Sequence, residues 1–289
     1  MEAFLHQVFS GLANGAIYAS LALALVMIYQ STHHINFAQG EMAMFSTYLA
    51  WAMINAGIPY WLAFIATILA SFFIGIAIER AIVRRVADAP VLTVVVVFIA
   101  LLVILNSVTG WIFSYTIKVF PSPFPEQPLF GPYVSSHEAG VVGVTLLVLA
   151  ALFLFFRYTS LGLAMRATAE NAVSSRLVGI RVGWMLALGW GVAAAIGSIA
   201  GMMVAPLVYL DPNMMSGILL YAIAAALMGG IDNPFGAVVG GLIVGVLENL
   251  MGAYVVGTEL KLTVALAVII GVLIFKPTGL FGRSFVTRV

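Results

Sequence analysis

Cysteine is absent from the 289 residues, which excludes disulfides, thiolate metal sites and cysteine nucleophiles. Charge is scarce too: Asp, Glu, Lys and Arg make up 8% of the chain against 63% hydrophobic residues, and the mean hydropathy is +1.14. A soluble domain is roughly 45–50% apolar, so the solvent this chain is built for is lipid. A net charge of +1 with no basic cluster leaves nothing to neutralise phosphates, and no nucleic-acid role is expected. None of Lys118, Lys261 and Lys276 follows a glycine, so the chain has no P-loop for ATP hydrolysis. Neither a G-x-S-G serine arrangement nor a Y-D or G-x-G-D aspartyl pair occurs, and no arginine ladder runs through an apolar stretch as a voltage sensor would need. Of the four histidines, His33 and His34 are adjacent, and neighbours on a helix point about 100° apart, which makes them poor joint metal ligands. No catalytic residue, metal ligand or bound cofactor is expected in this chain.

What is present is long charge-free sequence. The windows 3–40, 42–78, 89–117, 139–156 and 182–210 hold no Asp, Glu, Lys or Arg. Each accommodates a helix of about 20 residues, the length that crosses a bilayer core. Backbone polar groups in lipid are satisfied only by helices or a closed barrel, and these runs lack the two-residue alternation of barrel strands. The expected fold is therefore all-α, a polytopic transmembrane bundle of about eight or nine spans forming one domain over 1–289. Spans are placed near 8–29, 40–55, 61–80, 90–113, 140–157, 184–208, 216–231, 235–256 and 262–277. The start, MEAFLHQVF, carries an acid and no basic n-region, so it reads as the first span and not as a cleaved signal.

Basic residues flanking spans stay cytoplasmic. Arg80, Arg84 and Arg85 share one connection, Arg157, Arg166, Arg176 and Arg181 a second, and Lys276, Arg283 and Arg288 the tail, which puts ten of the 12 Lys and Arg on one side. The other side receives Lys118 and Lys261 with Glu2, Glu126, Glu138, Asp211 and Glu259. The amino end is expected outside and the carboxyl end inside. The outer connection, 114–139, holds five of the 11 prolines, Pro121, Pro123, Pro125, Pro128 and Pro132, and reads as an extended course that serves either as a docking surface or as a spacer.

The inner connection reads differently. From Leu163 to Leu177 it has good helix formers and no Gly or Pro, with Met165, Ala169, Ala172, Val173 and Leu177 at helical spacing and a stop at Gly179. That predicts one short amphipathic helix, part of a cytoplasmic element over about 160–181, lying on the membrane or in a groove of another protein. Glycine pairs four apart, Gly11 and Gly15, Gly197 and Gly201, Gly236 and Gly240, Gly241 and Gly245, let helix backbones approach closely, within the chain or between copies.

Polar groups within apolar spans default to functional or helix-packing roles. Glu248 and Asn249 in the eighth span can line a pathway or bond to another helix. The stretch HHINFAQGEMAMF, His33–Phe45, joins the first two spans, and its Asn36, Gln39 and Glu41 can cap the second helix.

NFAQGEMAMFSTYLAW closely resembles the N-F-A-x-G-E segment in permease subunits of ATP-binding-cassette importers for branched-chain amino acids. GLANGAIYASLALALVMIYQ is similar to that family's first span, RYTSLGLAMRATAENAVSSRLVGI to its cytoplasmic loop, ALMGGIDNPFGAVVGGLIVGVLENL to its late glycine-rich signature and KPTGLFGR to its Pro-Thr-Gly tail. The resemblance covers essentially the whole chain in order. It implies a bacterial inner-membrane permease, paired with a second, homologous permease subunit, two cytoplasmic ATPase subunits that bind the ATP and Mg, and an extracytoplasmic solute-binding protein.

It further implies an ATPase-coupling element at Arg166, Ala169, Glu170, Asn171, Ser174, Ser175, Arg176, Gly179 and Ile180, and a translocation pathway at Asn36, Phe37, Gln39, Gly40, Glu41, Tyr221, Glu248 and Asn249. Two departures stand out. Val173 occupies the acid position of the importer E-A-A-x-x-x-G core, with Glu170 one turn earlier as a substitute charge. Tyr221 stands where some relatives have a Lys. The family also includes permeases for urea and short amides, and broken helices with polar ends occur in stand-alone transporters and channels as well.

Overall fold

A computed structural model describes residues 2–125, 134–257 and 259–282. Glu126, Pro128 and Pro132 of the outer connection, and Arg283 and Arg288 of the tail, lie outside the described residues. The elements are α1 (Glu2–Thr32), α2 (Gln39–Asn55), α3 (Tyr60–Ala81), α4 (Val91–Phe113), α5 (Ser136–Tyr158), α6 (Ser160–Glu170), α7 (Ala172–Leu177), α8 (Val182–Val208), α9 (Met215–Gly229), α10 (Pro234–Met251) and α11 (Lys261–Phe275). A 3-10 turn, Val83–Arg85, follows α3, and a π-helical turn, Gly252–Val256, follows α10. Among the described residues the only strand-like pairing is an isolated antiparallel bridge, Lys118 to Leu210, so the chain is all-helical as expected.

Among the described residues six helices are long and apolar enough to cross a membrane: Ala3–Gln30, Tyr60–Arg85, Val91–Phe113, Ser136–Tyr158, Val182–Val208 and Pro234–Val256. The other three expected spans form shorter helices, α2 of 17 residues and α9 and α11 of 15 each. At about 1.5 Å per residue, 15 residues reach about 22 Å, less than the roughly 30 Å of a hydrocarbon core.

The chain packs as two compact units, each built from separated stretches: residues 1–26, 124–143 and 217–289, and residues 27–123 and 144–216. In the first unit α1 lies on α10 with glycines at the contact. A Cβ added at Gly11 would come within 2.8 Å of Val246 Cα, and one at Gly15 within 2.9 Å of Gly241 O and Leu242 Cα. These are the approaches that small residues four apart permit. The second unit is organised by α8, which packs against α3 and α2, while α2 also meets α3 and α4. Trp190 of α8 is fully buried and tilts against Phe98 of α4 at 5.8 Å. Gly75 faces the Trp190 carbonyl, and Gly201 faces Thr47 and Ala43. The small-residue pairs therefore serve contacts within the chain.

The lipid-facing character shows in α4 and α5, which leave Leu92, Val96, Val103, Ile104, Leu147 and Phe153 exposed. Two long helices of the second unit end on residues in backbone conformations that favour glycine: Ser114 after α4 at φ 65 and Tyr209 after α8 at φ 64. The Lys118–Leu210 bridge, with amide–carbonyl bonds of 2.9 and 3.0 Å in the two directions, follows both turns and holds them.

Candidate functional site

The eight residues assigned to a pathway fall into two polar clusters, one in each unit. In the second unit the chain leaves α1 through His33 at φ 57, and Asn36 then turns it by accepting a bond from the Ala38 amide at 3.0 Å. The cap position of α2 is Ala38, without any side-chain cap, so Gln39 and Glu41 do not cap the helix as the sequence suggested. Both point into the protein instead. Gln39 is fully buried, accepts from Asn36 Nδ2 at 3.3 Å and donates Nε2 to the Ala193 carbonyl of α8 at 3.0 Å. Gly197 makes room for it, because a Cβ there would fall 2.6 Å from Gln39 Nε2. Gly40 is buried beside it and Phe37 is half-buried.

Glu41 is 5% exposed, and its hydrogen-bond partner is Asn106 of α4, whose Nδ2 lies 3.4 Å from Oε2. Asn106 offers two amide protons and three acceptors compete for them: the Pro212 carbonyl at 2.7 Å, Asn213 Oδ1 at 3.2 Å and Glu41 last. A buried carboxylate with only a long bond is costly in an apolar medium, and it is a ready acceptor for an ammonium or amide N–H that comes within reach. Asn106 and Asn213 were not picked out from the sequence. Asn106 had a signal, since it is a lone amide in the charge-free window 89–117.

In the first unit Glu248 of α10 is 7% exposed and well satisfied. Tyr18 of α1 donates to Oε2 at 2.7 Å, and Lys261 Nζ of α11 stands 3.9 Å from Oε1. Tyr221 of α9 stacks on Tyr18, with ring centroids 4.9 Å apart. Asn249 donates to the Gln7 carbonyl at 3.1 Å, tying α10 to α1. Both Glu248 and Asn249 thus make bonds to other helices. Tyr18 and Lys261 were missed: a tyrosine in an apolar span carries little signal, and Lys261 read as an outer flank.

The inner element departs from the expected single helix. Asn171 adopts an extended conformation, φ −155 and ψ 99, which ends α6 and starts α7, and its side chain caps α7 by accepting from the Ser174 amide at 2.9 Å. Asn competes with helical bonding in this way wherever its side chain can reach a backbone N–H three residues on. The break splits the apolar stripe. Met165 is buried, Ala169 and Ala172 are half-buried, and Val173 and Leu177 are turned out at 69% and 84% exposure. Arg166, Glu170, Ser174, Arg176 and Gly179 are exposed, Ser175 is buried and Ile180 half-buried. Gly179, at φ 87, ends α7 as expected, with its amide bonded to the Arg176 carbonyl at 3.1 Å. No group of three side chains able to hold a metal occurs among the described residues.

Comparison with known proteins places the chain in a family. The family described as Branched-chain amino acid transport system / permease component matches residues 7–273. The chain is similar to the high-affinity branched-chain amino acid transport system permease protein LivH of Salmonella typhimurium, 34% identical over 304 residues, covering 99% of this chain and 98% of that protein. It is also similar to the corresponding permease protein BraD of Pseudomonas aeruginosa, 32% identical with 99% and 98% covered. A solved structure, PsaBC from Streptococcus pneumoniae in complex with Fab, overlaps 96% of this chain and 91% of its own at 14% identity, with a TM-score of 0.46. An all-helical chain with six helices long and apolar enough to cross a membrane among its described residues, matched from end to end by such relatives, belongs to the branched-chain amino acid transport system permease family.

Proposed function

We propose that this chain is the membrane-spanning permease subunit of an ATP-driven importer of branched-chain amino acids, multi-pass in the bacterial inner membrane and itself without enzymatic activity or bound cofactor. The full-length similarity to LivH and BraD carries the reading, since their names place both in branched-chain amino acid transport systems. The chain works with a second, homologous permease subunit, two cytoplasmic ATPases that hold ATP and Mg, and an extracytoplasmic solute-binding protein. α2, α9 and α11 complete nine crossings as short spans, with the amino end outside and the carboxyl end inside. That places Arg80, Arg84, Arg85, Arg166, Arg176 and Arg181 on the cytoplasmic side, as the positive-inside rule favours.

The α6–α7 element is the handle the ATPases grip. Leu163, Val173, Leu177 and Val178 expose 60–84% of their surface on it, and an exposed apolar patch rimmed by charge suits a protein contact. Binding that differs between the open and closed ATPase states is what moves the permease, because equal affinity for both shifts nothing. Asn36, Phe37, Gln39, Gly40 and Glu41, with Tyr221, Glu248 and Asn249, line or support the path.

The test is reconstitution. Copurification with stoichiometric ATPase chains, and ATP-dependent leucine uptake in vesicles supplied with the binding protein, are expected. Accumulation of solute by this chain alone would identify a stand-alone transporter, and uptake of urea or short amides in preference to leucine would reassign the substrate.

A further inference from the structure

Within the second unit, a recess of about 250 Å³ opens between the end of α3, the turn after it, α7 and the start of α8. Two acids, Glu79 and Asp88, and two guanidinium groups, Arg84 and Arg176, line it together with the apolar Val182 and Leu186. Glu79 is the unusual member. It is 2% exposed, its Oε1 stands 3.9 Å from Arg84 Nε, and its Oε2 is buried without a hydrogen bond. The neighbouring Arg80, laid over the Trp184 ring at 3.5 Å, acts on Glu79 through its charge and makes no hydrogen bond to it. A buried carboxylate oxygen left unpaired beside a cavity is a costly arrangement, which a bound donor relieves.

The chemistry of the lining selects among occupants. A lone cation would meet Arg84 and Arg176, and a lone anion would meet Glu79 and Asp88. A molecule carrying both charges on neighbouring atoms satisfies both pairs, and Val182 and Leu186 offer an apolar wall for an aliphatic tail. We propose that this recess binds a free aliphatic amino acid as the zwitterion, with its ammonium at Glu79 and Asp88, its carboxylate at Arg84 and Arg176, and its alkyl group on Val182 and Leu186. The proposal deepens the importer reading and rests on it, because that reading places the recess on the cytoplasmic side. The site is then where imported product reports its own concentration. An occupant bridges Arg176 on α7 to Glu79 on α3, so it biases the element the ATPases grip toward the arrangement that closes the bridge, and transport slows.

The experiment uses the assembled complex in vesicles with ATP inside and binding protein outside, reading initial uptake of labelled leucine with and without unlabelled compound in the lumen. Lumenal leucine is expected to slow uptake by about fivefold or more, the lower end of ordinary couplings between sites. Leucinamide, which lacks the carboxylate, and 4-methylpentanoate, which lacks the amine, are expected to leave the rate unchanged. For each variant the readout is the ratio of the two rates, which cancels differences in basal transport. Glu79→Gln and Asp88→Asn should each bring that ratio close to one, and Asp88, being exposed, tolerates its change even if Glu79→Gln folds poorly. Wild-type uptake indifferent to lumenal leucine, equal inhibition by all three compounds, or inhibition persisting in both variants overturns the proposal. So does loss of ATPase chains from the Glu79→Gln complex, which would mean that a partner side chain fills the recess. Vesicles with no ATP-dependent leucine uptake at all refute the importer reading itself, and this proposal with it.

Discussion

Replacing Gly241 by Ala tests whether the α1–α10 contact holds the first unit together. A Cβ at 241 would lie 2.5 Å from both Cα and N of Ala19 and 2.7 Å from its Cβ, whereas ordinary contact begins at 3.4 Å. The atoms met are mostly backbone, so no rotamer change relieves the clash, and the helices must part by about 0.9 Å, a gap that forfeits a quarter to a half of each dispersion well it opens. Overpacking of this kind costs about 1–3 kcal/mol. The control is Gly271→Ala in α11, where nothing lies within 4 Å of the added Cβ; there the change removes a poor helix former and is expected to gain up to about 1 kcal/mol. Reversible unfolding of the purified chain in mixed micelles, followed by helix content, measures both. The two substitutions are chemically identical and are expected to have opposite signs. Gly241→Ala as stable as Gly271→Ala would refute the claim that close backbone approach, rather than helix propensity, governs these glycines.

Three further outcomes are expected. Tyr18→Phe removes the 2.7 Å bond to Glu248 while keeping the ring stacked on Tyr221, and should cost about 0.6–1.7 kcal/mol in the same unfolding assay; no loss would mean that the hydroxyl contributes nothing to the cluster. Asn171→Ala deletes the cap on Ser174 N and should destabilise α7 by about 0.5–2 kcal/mol, seen as faster amide hydrogen exchange over 172–177, with Asn171→Asp retaining protection. Tyr209→Gly relieves a backbone held at φ 64 and should raise the unfolding midpoint, a gain of about 1 kcal/mol; a lowered midpoint would show that the tyrosine ring contributes more than the strain costs.

The sequence by itself determined the helical class, the long spans and the family, because each follows from local properties: charge-free length, missing alternation, and motifs in order such as Asn36 to Glu41. It also located the helix stop at Gly179 and the close approach of Gly11 and Gly15, since glycine spacing is visible without a partner. What only the tertiary structure decided is what each polar side chain faces. Gln39 and Glu41 sit where caps would be read, yet Gln39 bonds to α8 and Glu41 meets Asn106 of α4, 65 residues away in sequence. Glu248 finds Tyr18 across 230 residues. Asn171 reads as the interior of one helix from Leu163 to Leu177, and the folded chain instead breaks there, with its side chain capping α7. Local pattern sets which segments become helices, because backbone bonding in lipid must be satisfied within the segment; partners for buried polar groups come from other helices, and a linear pattern does not encode which face turns toward which neighbour.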